Sequence, residues 1–301
     1  MQNEGRATIV VLTCNRRLQL LGTLAALQRL PGRWPIIVVD NGSTDGTADA
    51  VAARYPKIMV IRTLRNLGAA GRNLAVAYAH TPYVAFCDDD TQWEPGALDR
   101  AVSILDASPN VGVLNACVQV GTLREPDPTC LSMARSPLQR DTLPGPQLLD
   151  FMAGACVMRT RAFFDVGGYW PPFFVGGEEE LMALDLVERG WHIVYADDVI
   201  ARHFPMRIRK SRELEQLMAR NAIWVAWMRR PWRAAAHETW LQLRQAHGRK
   251  MLAPVMLTVL LGLPRALRRR KVISPAVEQM IRLLNMARDC PHTAANLLDA
   301  A

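Results

Sequence analysis

The chain has only six cysteines, at positions 14, 87, 117, 130, 156 and 290, and no two of them form a CxxC pair. That argues against a dithiol redox motif or a zinc ribbon. Most lie in apolar runs such as VVLTCN and AGACVM, so they read as small buried hydrophobes in a reducing compartment. There is no internal repeat and no low-complexity tract. No GxxxxGK[ST], HExxH or GxSxG occurs, and the first of these absences argues against a P-loop ATPase. NLGAAGRN offers GxxG rather than GxGxxG and does not directly follow a strand, so a dinucleotide Rossmann site is not expected either. Long apolar runs are missing too. The longest, MLAPVMLTVLLGLP (251–264), is broken by Pro254 and Gly262 and falls short of the about 20 residues that span a bilayer. The opening MQNEGRATIVVLT lacks a cationic segment followed by an apolar stretch of signal length, so cytoplasmic residence is expected.

What is present is a chain of 301 residues, 50% hydrophobic, enough for one large domain or one domain plus an extension. The formal net charge of +8 conceals an asymmetry. Residues 1–200 hold 17 Lys/Arg against 22 Asp/Glu, whereas residues 201–301 hold 19 against 6. An acidic first two-thirds with a basic tail suggests that the tail meets something anionic.

The run ATIVVLT (7–13) is continuously apolar and β-branched, as in a strand buried on both faces of a parallel sheet. RRLQLLGTLAALQRL (16–30) follows as a helix with Leu18, Leu21 and Ala25 on one stripe. PIIVVDNGSTDGT holds a second buried strand, then a helix over 47–55 that Thr47 is expected to cap. KIMVIRTL (57–64), GAAGRNLAVAYAH (68–80) and YVAFCDDD (83–90) continue the rhythm as strand, helix and strand. Such alternation means βαβ units and right-handed crossovers. In such sheets ligands bind beyond the carboxyl ends of the strands. Asn15, Asp40, Asn66 and Asp88–Asp90 all fall at those ends, so four polar clusters converge on one rim. After residue 95 the order is helix, strand, a Pro-rich irregular stretch over 122–146, a strand and short helix over 151–169, a helix over 176–191 and a strand pair around a turn over 192–204. Beyond residue 210 every segment reads as helix.

The acidic turn Asp88-Asp89-Asp90 ends a buried strand, and no Lys or Arg follows until Arg100. Three like charges so placed are expected to be short of protein counter-charge. A hard divalent cation, held by one or two carboxylates and completed by substrate phosphates, resolves that shortage. The bland alternative is an exposed acidic turn screened by water.

TIVVLTCNR, IIVVDNGSTDGT, LRNLGAAGRN and YVAFCDDD, in that order and spacing, resemble the nucleotide-binding half of family 2 glycosyltransferases with the GT-A fold, rhamnosyltransferase-like members among them. VGGEEELMALDLVERGWHIVYADDVIARH is similar to the family's second half. The resemblance implies an α/β fold with a Rossmann-like mixed sheet. It implies a glycosyltransferase domain over 6–205, divided into a nucleotide-binding half (6–95) and an acceptor half (96–205), and a basic helical extension over 206–301. It further implies an enzyme that moves a sugar from a UDP-, GDP- or dTDP-linked donor to a glycan, lipid-linked or small-molecule hydroxyl, with inversion and with Mg2+ or Mn2+. Thr13, Asn15, Asp40, Arg72, Asp88 and Asp89 would then line the nucleotide-sugar pocket, and Asp88, Asp90 and His203 would hold the metal.

The family's base lies in a GED-like helix start, which falls here on Gly177-Glu178-Glu179 and makes Glu179, beside Glu178, the expected general base. Leu181 and Asp185 stand where the family usually has Asp and Arg. On the bland reading, Glu178–Glu180 only favour a helix N-terminus, worth about 0.3–1 kcal/mol each. Gly176 and Gly177 are expected to let the loop close over the donor, and Trp170, Phe173 and Phe174 either stack on a sugar or belong to the core.

Three readings compete for the tail: a helical extension packed on the catalytic domain, a surface for anionic membrane contacted through residues 210–271, or a nucleic-acid contact, against which the absence of any known motif counts. Two rivals for function also stand. One is a sugar-nucleotide nucleotidyltransferase, which usually has a Gly-rich basic loop that LTCNRRLQLLGT lacks; the other is a non-catalytic membrane- or partner-binding derivative of the fold.

Overall fold

The computed structural model describes residues 5–138, 142–205 and 211–289. Cys290 and the parts of the expected extension at 206–210 and 290–301 lie outside the described residues. The first half alternates as expected: β1 (Ala7–Thr13), α1 (Arg17–Leu27), β2 (Ile36–Asp40), α2 (Thr47–Arg54), β3 (Met59–Arg62), α3 (Gly71–Tyr78) and β4 (Tyr83–Asp88). A short β5 (Thr91–Trp93) and α4 (Ala97–Ala107) lead into β6 (Val111–Val120), β7 (Glu125–Pro126), α5 (Pro128–Ala134), β8 (Gln147–Leu148), β9 (Ala155–Arg159), α6 (Thr160–Val166), α7 (Glu178–Glu188) and β10 (His192–His203). Four helices follow: α8 (Arg212–Arg229), α9 (Trp232–Gly248), α10 (Leu252–Leu267) and α11 (Pro275–Asp289).

The strands form one mixed sheet in the order β3-β2-β1-β4-β9-β6-β10-β5. β1 pairs in parallel with β2 and β4, while β9 runs antiparallel between β4 and β6 and joins the two halves. β1, β2 and β4 are buried almost throughout, which is why they read as unbroken apolar runs.

Three expectations need correction. Leu18 is 75% exposed, and the buried face of α1 is Leu20, Thr23, Leu24 and Leu27, a stripe displaced by about half a turn. Gly46, not Thr47, precedes α2; the Asp45 carboxylate accepts the Thr47 N–H at 3.1 Å and supplies the missing cap. The expected strand pair over 192–204 is the single strand β10, whose pairing with β6 shifts register between Ala196 and Ile200; the polar Asp197-Asp198 pair sits in a bulge, not a turn. Among the cysteines, positions 87, 117, 130 and 156 are buried free thiols as expected, and Cys14 is half-buried.

Two apolar cores result. The first lies on both faces of the sheet. The second joins Trp170, Phe173, Leu181 and Leu184 to Ile223, Trp224, Val225 and Met228 of α8 and to α10 and α11. Trp170 and Phe173 are therefore core residues and not sugar platforms, with rings 6.1 and 6.3 Å from Trp224. Burial of each such ring contributes roughly 1.5–3 kcal/mol. The tail is thus packed on α7 and the loop before it. Among the described residues no helix is long and apolar enough to cross a membrane.

Candidate active site

The parallel register sets Thr13 beside Asp40 and Leu12 beside Asp88, so the loops after β1, β2 and β4 share one rim. Asn15 adopts φ 54°, a left-handed conformation that Asn tolerates better than most residues. Its side-chain Oδ1 accepts the Thr44 N–H at 2.7 Å and its backbone N–H donates to Ser43 Oγ at 2.8 Å, which fastens the β1 loop to the β2 loop. Asp40 is buried, and its Oδ1 accepts the Ser43 N–H at 3.0 Å. Asn41, which the sequence reading did not single out, donates to Asn66 Oδ1 at 2.9 Å and to the Gly68 carbonyl at 3.0 Å, and accepts the Leu67 N–H at 2.9 Å. It ties the β3–α3 loop to the same rim.

The expected shortage of counter-charge at the acidic turn is overturned. Arg16 donates to Asp89 and Asp90, both at 2.8 Å; Arg72 pairs with Asp88 at 2.5 Å; His203 Nε2 stands 3.4 Å from Asp90. All three partners come from other elements, so no local spacing announced them. Asp89 is buried, accepts the Thr13 hydroxyl at 2.8 Å, and has its backbone carbonyl held by the Thr23 hydroxyl. Burial raises its pKa against the pull of Arg16 and Thr13. Asp89 and Thr13 thus brace the turn and are themselves buried. Burial also opposes the charge on Asp90, yet His203 and Arg16 outweigh it and hold that carboxyl below its ordinary range. The hydrogen bond to Asp90 raises the His203 pKa in turn.

Asp88 is the open member of the three, with a side chain 43% exposed. It occupies the space beside Gly154, where an added Cβ would lie 2.2 Å from Asp88 Oδ2. Among the described residues no three His, Cys, Asp or Glu side chains gather as a complete metal cage. The pair Asp90–His203 offers one oxygen and one nitrogen donor, with Asp88 on the same turn. Such a set fits a hard divalent cation that takes its remaining ligands from diphosphate oxygens and water.

Arg72 links the rim to the elements around Tyr169 and the start of α7. It is buried on α3, its guanidinium lies 5.9 Å from the Tyr169 ring centre, and its Nε is buried without a hydrogen-bond partner. Burial disfavours its charge, but Asp88 first, then Tyr169, Glu179 and Glu178, keep its pKa above the ordinary value. Glu178 and Glu179 begin α7 after Gly177, which has φ 86°. Burial and the neighbouring Glu179 push the Glu178 carboxyl up to about 8. Burial raises Glu179 as well, against a backbone hydrogen bond and the positive charge of Arg72. With both carboxyls raised, the buried pair favours holding a proton between its members.

The loop before α7 does not have the freedom expected of Gly176 and Gly177. Asn221 of α8 donates to the carbonyls of Phe173 (3.0 Å), Val175 (3.0 Å) and Gly176 (2.5 Å). The Phe174 carbonyl accepts the Ala69 N–H at 2.7 Å, an approach that requires Gly68, because a Cβ there would lie 1.9 Å from that oxygen. The departures at 181 and 185 also find their cause. Leu181 packs in the second core, and Asp185 receives both arms of the buried Arg229 guanidinium at 2.5 and 2.9 Å.

Comparison with known proteins agrees with this fold. The family described as Glycosyl transferase family 2 matches residues 8–167. An N-acetylglucosaminyl-diphospho-decaprenol L-rhamnosyltransferase of Mycobacterium tuberculosis is 26% identical over 56% of this chain, which spans 66% of that relative's length, just under two thirds. An uncharacterized glycosyltransferase of Mycobacterium bovis is 40% identical over 34% of this chain and 45% of its own. Among solved structures, a mannosyltransferase from Pyrobaculum calidifontis in complex with GDP-Man and Mn2+ superposes with a TM-score of 0.59 at 20% identity, covering 99% of this chain and 79% of its own. S. aureus TarS in complex with UDP-GlcNAc gives 0.58 at 16% identity, over 83% and 71%. At these identities the likeness is one of fold, the GT-A fold.

Proposed function

The chain belongs to glycosyl transferase family 2, and we propose that it transfers a sugar from a nucleotide-sugar donor to an acceptor hydroxyl with inversion at the anomeric carbon. The observation that carries this reading is the Arg72 junction. One buried guanidinium stands between Asp88 of the strand-end rim and the Glu178–Glu179 pair of the acceptor half, so donor and base chemistry meet at one point. The donors in the superposing mannosyltransferase and TarS structures, GDP-Man and UDP-GlcNAc, support a nucleoside diphosphate leaving group here.

In the proposed reaction Glu179 takes the proton of the acceptor hydroxyl. The acceptor oxygen forms its bond to the anomeric carbon as the bond from that carbon to the diphosphate oxygen breaks, and the nucleoside diphosphate leaves with the electron pair. Glu178, protonated, holds Glu179 by a hydrogen bond and keeps the pair at one negative charge. Asp40 and the Asn15–Thr44 turn would form the nucleoside end of the pocket, and Arg72 the sugar end. Asp90 and His203, with Asp88, would hold Mg2+ or Mn2+, which when bound supplies positive charge to the leaving diphosphate. Residues 6–205 would form the transferase unit and the helices after residue 206 its extension.

The test is a panel of UDP-, GDP- and dTDP-sugars with Mn2+, scored for transfer or slow donor hydrolysis. Glu179→Gln is expected to lose about 10²–10⁴ of the transfer rate, the usual worth of a general base, with donor affinity within a factor of two. A loss of donor binding as large as the loss of rate would refute the assignment.

A further inference from the structure

Two features of the C-terminal helices are not used by the reaction above, and they adjoin. A cleft of about 290 Å³ opens between α7 and the end of α10, lined by Arg189, Arg229, Arg268, Arg269 and Lys271. Only Arg229 of these five meets a carboxylate among the described residues, namely Asp185. Arg268, Arg269 and Lys271 are exposed cations with no anionic partner there. Glu178 lines the same cleft, and its Oε2 is buried without a hydrogen-bond partner. One wall thus lacks an anion and the other lacks a donor. A ligand with a phosphate at one end and sugar hydroxyls at the other meets both needs.

The second feature is the outer face of α10. Met256, Leu257, Leu260 and Leu261 are 41%, 59%, 60% and 75% exposed, and their spacing places them on one face. The basic run Arg265, Arg268, Arg269 begins one turn further on, so the apolar surface leads directly to the cationic cleft. α10 has 16 residues and does not span a bilayer. Apolar surface continuous with unpaired cations is the complement of an amphiphile with a phosphorylated head.

We propose that the cleft between α7 and the end of α10 binds the phosphate or diphosphate head of a lipid-linked acceptor, whose hydrocarbon tail lies along Met256, Leu257, Leu260 and Leu261. Only the word acceptor rests on the function proposed above; the binding itself does not. The head would sit on Arg268, Arg269 and Lys271, and the attached sugar would reach past Glu178 to its neighbour Glu179.

Calorimetric titration of the full chain with farnesyl diphosphate, without nucleotide or metal, tests this. Farnesyl diphosphate should bind at least tenfold more tightly than inorganic pyrophosphate. The variant Arg268→Gln/Arg269→Gln/Lys271→Gln should weaken it tenfold or more, and Leu257→Ser/Leu261→Ser should weaken it several-fold while pyrophosphate binding stays the same. The leucine pair is solvent-exposed, so it keeps the test available if the charge variant does not fold. Farnesyl diphosphate binding that neither variant changes, or pyrophosphate binding of equal strength, overturns the proposal. So does sedimentation with phosphatidylglycerol vesicles in the absence of farnesyl diphosphate binding, which would make the face a general membrane contact. When the nucleotide-sugar panel and Mn2+ are supplied in a separate assay, a chain that binds farnesyl diphosphate yet neither transfers sugar nor hydrolyses any donor overturns the reading of function alone.

Discussion

Two adjacent glutamates at a helix start are ordinarily solvated, and here burial makes them share a proton. The Glu178 pKa of about 8 stands above the ordinary 4.5, so the folded chain holds this proton more tightly than the unfolded chain does. Its stabilising contribution is complete below pH 4.5 and is lost as pH rises toward 8. Glu178→Gln keeps the neutral form at every pH. Thermal melts should therefore show the wild type losing several degrees of Tm between pH 5 and pH 9, and the variant losing clearly less. The same variant should retain most of the transfer rate, in contrast to Glu179→Gln, since it leaves the anionic member of the pair in place. Equal loss of rate in both variants would show that the two carboxyls act as one. In the sequence Glu179 was singled out by the resemblance of Gly177-Glu178-Glu179 to the family's helix start. That the pair holds a proton was not legible there, because that depends on burial and on Arg72, which is 107 positions earlier in the chain than Glu179.

Among the elements, α7, α8 and α10 depend on close fits that composition does not reveal. In the sequence Gly262 looked like a break in an apolar run. In the fold a Cβ at that position would lie 1.9 Å from Trp224 Cζ2, and the Trp224 indole donates to the Val259 carbonyl at 3.2 Å. Gly262→Ala improves intrinsic helix propensity by about 1 kcal/mol. It should nevertheless destabilise the protein by about 1–3 kcal/mol through overpacking, read as a lower denaturation midpoint at unchanged m-value. The pair Asp185–Arg229 joins α7 to α8 with both side chains largely buried. Asp185→Asn leaves the guanidinium without its charge and should cost about 3–5 kcal/mol; a shift below 1 kcal/mol would show that water reaches the pair. Position 185, where the sequence departs from the family pattern, is thus explained by a partner 44 residues away.

At the scale of the whole molecule, the acidic sheet domain and the basic tail are joined by packing, and the second core belongs to both. A chain ending at residue 210 would expose Trp170, Phe173, Leu181 and Leu184. It should be recovered as aggregate or bind a hydrophobic dye strongly, whereas the full chain should not. Membrane and acceptor assays on the tail therefore call for point variants in the full chain.

What the sequence determined by itself is the central sheet and its rim. Unbroken apolar strands with polar residues at their ends have one good solution, burial of the strands and the gathering of Asn15, Asp40, Asn66 and the acidic turn at one edge. The tertiary structure alone decided how the charges at that edge are matched and which aromatics join the second core. Arg16 reaches Asp89 across 73 positions, Arg72 reaches Asp88 across 16, and Trp170 of the loop before α7 meets Trp224 of α8 inside the second core. Coulomb attraction and close packing act on distance in space, and distance in space is what a pattern read along the chain does not contain.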